Sequence, residues 1–292
     1  MNSRRGVTVV RACVRGGPGQ TGGSPTAVVA ERDVAGASDA DRAAVAPATG
    51  VSHTVFVDPT PDGAHLRFFT AEGELPACGH GTVAALAYLA AHADGRFTGQ
   101  LRAGGTAFTG RAARDGTGYR AAFRTRRIDL RAATPDEAAA VRDALGTGHP
   151  TAAVIAALGR ARMLLPVPGR TELHALGPDP ARLRAACDRL GLLGVYAHTP
   201  PDTAGRLTAR MFAPSIGVPE DIANANSTAC LAAHLAGHGV PRVAADMGDT
   251  LGAPATITAT AEPDHRHVHV GGHAVLAPGA VVGPSPYRDQ HE

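Results

Sequence analysis

Two stretches of this 292-residue chain decide its fold: RFFTAEGELPACGHGTVAALAYL at Arg67–Leu89 and RMFAPSIGVPEDIANANSTACLAAHL at Arg210–Leu235. Each runs from an apolar strand through a Gly/Pro loop into an Ala-rich segment with almost no charge, which predicts buried helices over Gly81–Ala91 and Ser227–Ala236. The first N–H groups of a helix lack intrahelical partners and lie at the positive end of its dipole. Two such helix starts facing one cleft would hold a small carboxylate without a metal or a lysine.

The rest of the chain repeats one plan around these two stretches. Strand-like segments of alternating polarity precede each Ala-rich helix and follow it. Between the halves, Thr134–Leu145 is predicted to be a helix with a capping box at its start, and Thr171–Leu176 a short strand. We therefore predict an α+β fold of two domains, residues 1–127 and 128–274, with a strand from about 275–285 closing the first domain.

Composition excludes several classes of function. The formal net charge is +2 and no run of like charges is present, so neither nucleic-acid nor membrane-surface binding is expected. All 28 basic residues are arginine, which excludes a lysine Schiff base, pyridoxal-phosphate chemistry and the P-loop lysine. The four cysteines form no CxxC pair, and no secretory leader or apolar span is recognised, so a cytoplasmic chain with reduced thiols is predicted.

Several segments resemble one known family. GELPACGHGTVAALAYL and RMFAPSIGVPEDIANANSTACLAAHLAGHG are similar to the two signature regions of the PhzF-type isomerases, in the diaminopimelate epimerase and proline racemase superfamily. GGSPTAVV at Gly22–Val29, SHTVFV at Ser52–Val57 and HVHVGGHAVLAPGAVV from His267 resemble further regions in the same order. The resemblance implies a diaminopimelate epimerase-like fold: two similar domains, each a curved mixed β-sheet or barrel around a central helix, with the active site in the cleft between them. It also implies cofactor-independent proton transfer within a small carboxylic acid, and a homodimer.

The resemblance assigns catalysis to His53, His80 and Asp221. His53 stands where the family carries a glutamate that acts as general base and acid, and an imidazole can do the same work. The alternative is an inactive or rewired site. His80 in CGHGT and Asp221 in PEDIANANS match the family's site histidine and aspartate. Otherwise His80 would only cap a helix, and Asp221 would only complement a helix dipole, while Glu220 is expected to be structural.

Substrate binding is assigned to residues of the two loops and of the N-terminal strand: Cys78, Gly79, Gly81, Thr82, Asn224, Asn226, Ser227 and Ser24. Gly79, Gly81 and Thr82 are expected to offer free N–H groups at a helix start. Asn224, Asn226 and Ser227 depart from the TGSA that the family usually carries, and Ser24 replaces an asparagine. These departures indicate an altered substrate.

The thiol of Cys78 has two interpretations. In racemases of the superfamily, a thiol in this loop removes the α-proton and a second thiol in the other loop returns it. The second thiol would fall near Asn224, where none occurs, and Cys230 lies about two helical turns further on. Cys78 is therefore expected to be a small, partly buried thiol rather than half of a thiol pair.

The sequence thus predicts a cofactor-independent isomerase that shifts a double bond within a small unsaturated carboxylic acid. Precursor assembly for antibiotics, as in alkylproline pathways, is a hypothesis for its setting. A catalytically silent small-molecule-binding protein and an epimerase or dehydratase using Cys78 are the alternatives. No metal is expected, although the HxHxH segment beginning at His265 resembles a ligand set.

Overall fold

The computed structural model describes residues 6–16, 21–148 and 152–277. They form two compact units, one made of the chain up to Arg124 together with the residues from Gly271 onward, and the other of Thr125–Val270. Most of the strand predicted from about 275 to 285 lies outside the described residues.

Along the described chain, groups of two to four strands alternate with one or two α-helices. The strands are β1 (Val7–Ala12), β2 (Ser24–Ala30), β3 (His53–Thr60), β4 (Gly63–Thr70), β5 (Gly73–Leu75), β6 (Arg96–Ala103), β7 (Thr106–Asp115), β8 (Gly118–Arg124), β9 (Asp129–Ala132), β10 (Val154–Ala157), β11 (Ala161–Pro166), β12 (Leu192–His198), β13 (Arg206–Ala213), β14 (Val218–Asp221), β15 (Arg242–Met247), β16 (Ala255–Ala261) and β17 (Val268–Leu276). The α-helices are α1 (Asp39–Ala43), α2 (Val45–Thr49), α3 (Gly79–Ala91), α4 (Pro135–Leu145), α5 (Arg170–Ala175), α6 (Pro180–Arg189) and α7 (Ala225–Ala236).

The strands of the first unit pair in a closed ring. β2 pairs in parallel with β3 and β4 in parallel with β6, whereas β1–β2, β3–β4, β6–β7 and β7–β8 are antiparallel. β17 pairs with both β8 and β1 and so completes the ring. The result is a small barrel without an open edge, whose interior must be filled by side chains.

Helix α3 fills this barrel. It contacts β1, β2, β3, β4, β6, β7 and β8, and all of its residues except Tyr88 and Ala91 are buried. Small side chains let the surrounding strands approach: a Cβ on Gly110 of β7 would lie 2.8 Å from Leu86 Cδ2. The Ala-rich, charge-free sequence of α3 therefore follows from its position, because a helix surrounded by strands has no solvent-facing side.

The second unit repeats this plan. β9, β10 and β11 are antiparallel neighbours, β11 pairs in parallel with β12, and β12 pairs antiparallel with β13. β13 pairs in parallel with β15, and β15 is antiparallel to β16. Helix α7 packs against β10, β11, β15 and β16, while α4 and α6 bury Val141, Leu145 and Leu183 in a separate apolar core with Val195 of β12. The order of elements thus repeats between the units, as the sequence predicts.

The local predictions have different outcomes. Helix α4 starts with the predicted capping box, in which Thr134 and Glu137 exchange hydrogen bonds. The prediction of a strand at Thr171–Leu176 is wrong, because Arg170–Ala175 forms α5 and buries only Leu173. A six-residue segment with one buried position matches the spacing of a helix as well as that of a strand. Glu172 in the first turn and His174 in the last turn suit the helix dipole and so favour the helix. Among the described residues, no helix is both long and apolar enough to cross a membrane.

Candidate active site

The predicted base, His53, is the first residue of β3. It lies opposite Thr26 of β2 in the parallel pairing, and its side chain is buried, with 3% of its surface exposed. Its Nδ1 is 2.9 Å from the Oγ of Ser52. This hydrogen bond fixes the orientation of the ring and leaves Nε2 as the nitrogen available for proton transfer.

Cys78 and His80 lie at the start of α3. Cys78 is the N-cap residue and has an extended backbone, and His80 is the second helical residue. The Sγ of Cys78 lies 3.5 Å from Nε2 of His80, and both side chains are buried. Gly81 makes this contact possible, since a Cβ there would lie 3.0 Å from Cys78 Sγ and 3.0 Å from the ring of Phe68.

The two imidazoles are in edge-to-face contact. The ring centroids of His53 and His80 are 4.4 Å apart and the ring planes are nearly perpendicular, at 87°. Burial lowers the pKa of His53 well below its ordinary 6.5, and the nearby charge of His80 lowers it further. His53 is therefore neutral at pH 7, the protonation state that a general base needs.

The helix start offers fewer N–H donors than the sequence predicts. The expectation of a free N–H on Thr82 is wrong: it donates to the carbonyl oxygen of Cys78 at 2.9 Å, and the Thr82 hydroxyl donates to the same oxygen at 2.8 Å. Thr82 is four residues after the N-cap, where the regular helical hydrogen bonds begin. Gly79 and Gly81 precede that point, and among the described residues their N–H groups have no acceptor.

Ser24 lies at the same end of the sheet as His53. It precedes by two residues Thr26, the β2 residue that pairs with His53. Its hydroxyl is completely buried and has no hydrogen-bond partner among the described residues. An unpaired buried hydroxyl costs free energy, so Ser24 is suited to receive a polar group of a ligand.

In the second unit, the predicted residues form a hydrogen-bonded turn before α7. Asp221, the last residue of β14, is buried and its Oδ2 accepts from Nδ2 of Asn224 at 3.0 Å. Asn224 is the N-cap of α7, and its Oδ1 accepts from the N–H of Ser227 at 2.9 Å. Both ends of the Asn224 amide are thus engaged within the turn, as is the N–H of Ser227.

Asn226 differs from Asn224. Its side chain is half-buried and makes no hydrogen bond to the other described residues. An amide that can both donate and accept is therefore available on the first turn of α7. Of the two asparagines, Asn226 is the better candidate to contact a substrate.

Two functional details were not predicted from the sequence. Ser52 is an exposed residue directly before β3, and its Oγ orients the ring of His53. Its place next to His53 in SHTVFV is the signal that could have indicated this role. The other is the shared geometry of the helix starts, where Thr228 donates to the carbonyl oxygen of Asn224 as Thr82 does to that of Cys78. Glu220 has the expected structural role, since both of its carboxylate oxygens accept from Arg210.

The histidines near the end of the described chain do not form one cluster of ligands. His267 Nδ1 lies 2.5 Å from Asp264, and His269 Nε2 lies 3.1 Å from Glu262. His273 is buried, and its Nε2 lies 3.1 Å from the carbonyl oxygen of Asp115. Each of these three imidazoles thus has a different protein partner.

The family model described as "phenazine biosynthesis-like protein" matches residues 19–279. A Deinococcus radiodurans protein named an uncharacterized isomerase is 34% identical over 204 residues, which cover 64% of this chain and 63% of that protein, less than two thirds of its length. The uncharacterized isomerase YddE of Escherichia coli O157:H7 is 28% identical over 269 residues, covering 82% of this chain and 86% of that protein.

A solved structure shares the fold. The structure of a predicted epimerase from Pseudomonas aeruginosa superimposes with a TM-score of 0.77 at 25% identity, covering 96% of this chain and 99% of that one. The epimerase-like fold is therefore confirmed, and the names of the relatives confirm the prediction of an isomerase at the level of enzyme class. Because the family model matches most of its length, the chain belongs to the phenazine biosynthesis-like, or PhzC-PhzF, family.

Proposed function

We propose that this protein is a cofactor-independent isomerase that moves a proton, and with it a double bond, within a small unsaturated carboxylic acid. The observation that carries the proposal is the buried pair of imidazoles, His53 and His80, with ring centroids 4.4 Å apart. Two imidazoles at this distance can take a proton from one carbon and deliver one to another.

His53 removes the first proton. Its ring is neutral at pH 7 because burial, with a smaller effect of His80, keeps its pKa well below 6.5. The contact with Ser52 Oγ holds the ring, so the lone pair of Nε2 has a fixed direction. A carbon next to a conjugated carboxylate or enol is acidic enough for such a base, since the negative charge moves onto oxygen.

The start of α3 stabilises that charge. The N–H groups of Gly79 and Gly81 precede the regular hydrogen bonds of the helix, and the helix dipole adds to their effect. The proton returns from His80, whose Nε2 is in contact with the thiol of Cys78. Two positive charges on adjacent rings repel, so protonation of His53 favours release from His80.

A second candidate function follows from the same contact. Cys78 Sγ lies 3.5 Å from His80 Nε2, a distance at which the imidazole can activate the thiol. An epimerase or dehydratase would use Cys78 itself as the base that removes the α-proton. In the first candidate function, Cys78 only borders the site.

Solvent deuterium distinguishes these functions. The full chain is incubated in D₂O with a panel of small α,β-unsaturated carboxylic acids, and deuterium at carbon is followed by NMR. An isomerase or epimerase incorporates deuterium, whereas a silent binding protein does not. His53→Ala should lower isomerisation at least 100-fold, in the range for loss of a general base. Cys78→Ser should stop only the thiol-based reaction, with Cys187→Ser as the control at a buried thiol of α6.

Near-normal turnover by His53→Ala would refute the assignment of the base. Asp221 stays a predicted participant, and Asp221→Asn tests it in the same assay. The departures from the family at His53, Asn224 and Asn226 support a specialised substrate, for which we propose a precursor in antibiotic biosynthesis. The homodimer and the cytoplasmic location stay predictions.

A further inference from the structure

Three buried side chains of the first unit place potential metal-binding atoms close together. We propose that His53, Cys78 and His80 bind zinc, with a fourth position open to water or an anion. One ligand atom from each residue lies within 4.8 Å of the other two. The proposal rests on this geometry and not on the proposed isomerase activity.

The distances suit tetrahedral coordination. Zinc lies about 2.3 Å from sulfur and about 2.0–2.1 Å from imidazole nitrogen, so the tetrahedral angle separates sulfur from nitrogen by about 3.6 Å and two nitrogens by about 3.3 Å. Cys78 Sγ and His80 Nε2 are 3.5 Å apart, which already matches one edge of such a tetrahedron. The other two separations, within 4.8 Å, need to shorten by at most about 1.5 Å to reach these values.

The chemistry of the set favours zinc over harder cations. One thiolate with two imidazoles is a mixed sulfur and nitrogen site, whereas magnesium and calcium prefer oxygen ligands. The contact of His53 Nδ1 with Ser52 Oγ is a second support, because metal-bound histidines usually donate their other ring N–H to a nearby oxygen. All three ligands also lie on ordered elements, His53 on β3 and the other two at the start of α3.

A rival set occurs in the second unit. Glu262, Asp264 and His267 also place ligand atoms within 4.8 Å of one another. That group is partly exposed, however, and Asp264 already accepts from the backbone N–H groups of Arg266 and His267. The carboxylate of Asp264 thus stabilises a turn of the backbone, and exposed acidic groups of this kind are common without a metal. It provides a matched control.

Zinc at the first set would occupy a lone pair of His53 that the proposed isomerisation needs. Metal and substrate would then compete, and added zinc would inhibit turnover. Binding itself is measured without substrate, so a protein that binds zinc as proposed and isomerises nothing refutes the proposed function alone.

The test is a titration of the metal-free, full-length chain with Zn²⁺ by calorimetry and with Co²⁺ by absorption spectroscopy. We expect one metal per chain and a thiolate-to-cobalt charge-transfer band. Cys78→Ser should remove the band and, like His80→Asn, weaken zinc binding about tenfold or more. His267→Asn and Cys187→Ser should change neither measurement.

Two results would overturn the proposal: no thiolate band in the unsubstituted protein, or zinc affinity that depends on His267 and not on Cys78. Because the band is measured first on the unsubstituted protein, a variant that fails to fold does not remove the test. Thermal unfolding of each variant without metal identifies such a failure.

Discussion

Replacement of His80 by asparagine should raise the pKa of His53. Two unit charges 4.4 Å apart repel by about 4 kcal/mol at an effective dielectric constant of about 20. Because of this repulsion, the two rings together take up one proton far more readily than two. In His80→Asn this repulsion is removed but the burial remains. Since burial is the larger cause of the shift, the pKa of His53 should rise and still stay below 6.5.

The assay is an NMR titration of the imidazole carbons between pH 4 and 8, with His53 assigned by its absence in His53→Asn. In the unsubstituted protein His53 should stay neutral well below pH 6.5, and the acid limb of kcat/KM should lie there too. His65→Asn is the control, because His65 is an exposed residue of β4. An ordinary pKa near 6.5 for His53, or no change in His80→Asn, would refute the reasoning.

Two further predictions concern packing and acid stability. Gly81→Ala places a methyl group 3.0 Å from both Cys78 Sγ and Phe68, so it should destabilise the protein by about 1–3 kcal/mol and impair the site, measured by thermal unfolding and turnover; Gly237→Ala, where the nearest atom is 3.4 Å away, should not. Burial lowers the pKa of His198 from 6.5 to about 4. Between these two pH values the His198 side chain binds a proton in the unfolded chain but not in the folded chain. Stability should fall by about 3 kcal/mol between pH 6.5 and 4 in urea unfolding, and by clearly less in His198→Gln; equal losses in both proteins would contradict this.

The parts of the fold that depend on local pattern were predictable. The charge-free runs around Leu86 and Leu231 indicate buried helices, and most residues of both α3 and α7 are buried. The capping box at Thr134 fixes the start of α4 because its two hydrogen bonds are made by residues three apart. Short segments are harder to predict. In Arg170–Ala175 only one residue, a leucine, is buried, and a single apolar position cannot distinguish the spacing of a helix from that of a strand.

The candidate site was predictable only as a set of residues. The sequence motifs indicate His53 and His80, but their edge-to-face contact depends on the pairing of β3 within the barrel and on the position of α3 inside it. The low pKa of His53 has the same origin, because burial is a property of the folded chain. For Thr82 the sequence prediction is wrong for a local reason. Its position near a helix start suggests a free N–H donor, but four positions after the N-cap its N–H already takes part in the regular helical hydrogen bonds.

The two helix starts differ in their capping side chains. Cys78 and Asn224 are both N-cap residues, and each is followed four positions later by a threonine that donates to its carbonyl oxygen. The side chain of Asn224 makes the cap itself and also donates to Asp221, so it is held in place and carries no exchangeable acid. The side chain of Cys78 makes no capping bond and contacts His80 instead. A reaction that needs one thiol from each helix start is therefore excluded, and Asp221 is the remaining candidate proton carrier in the turn before α7.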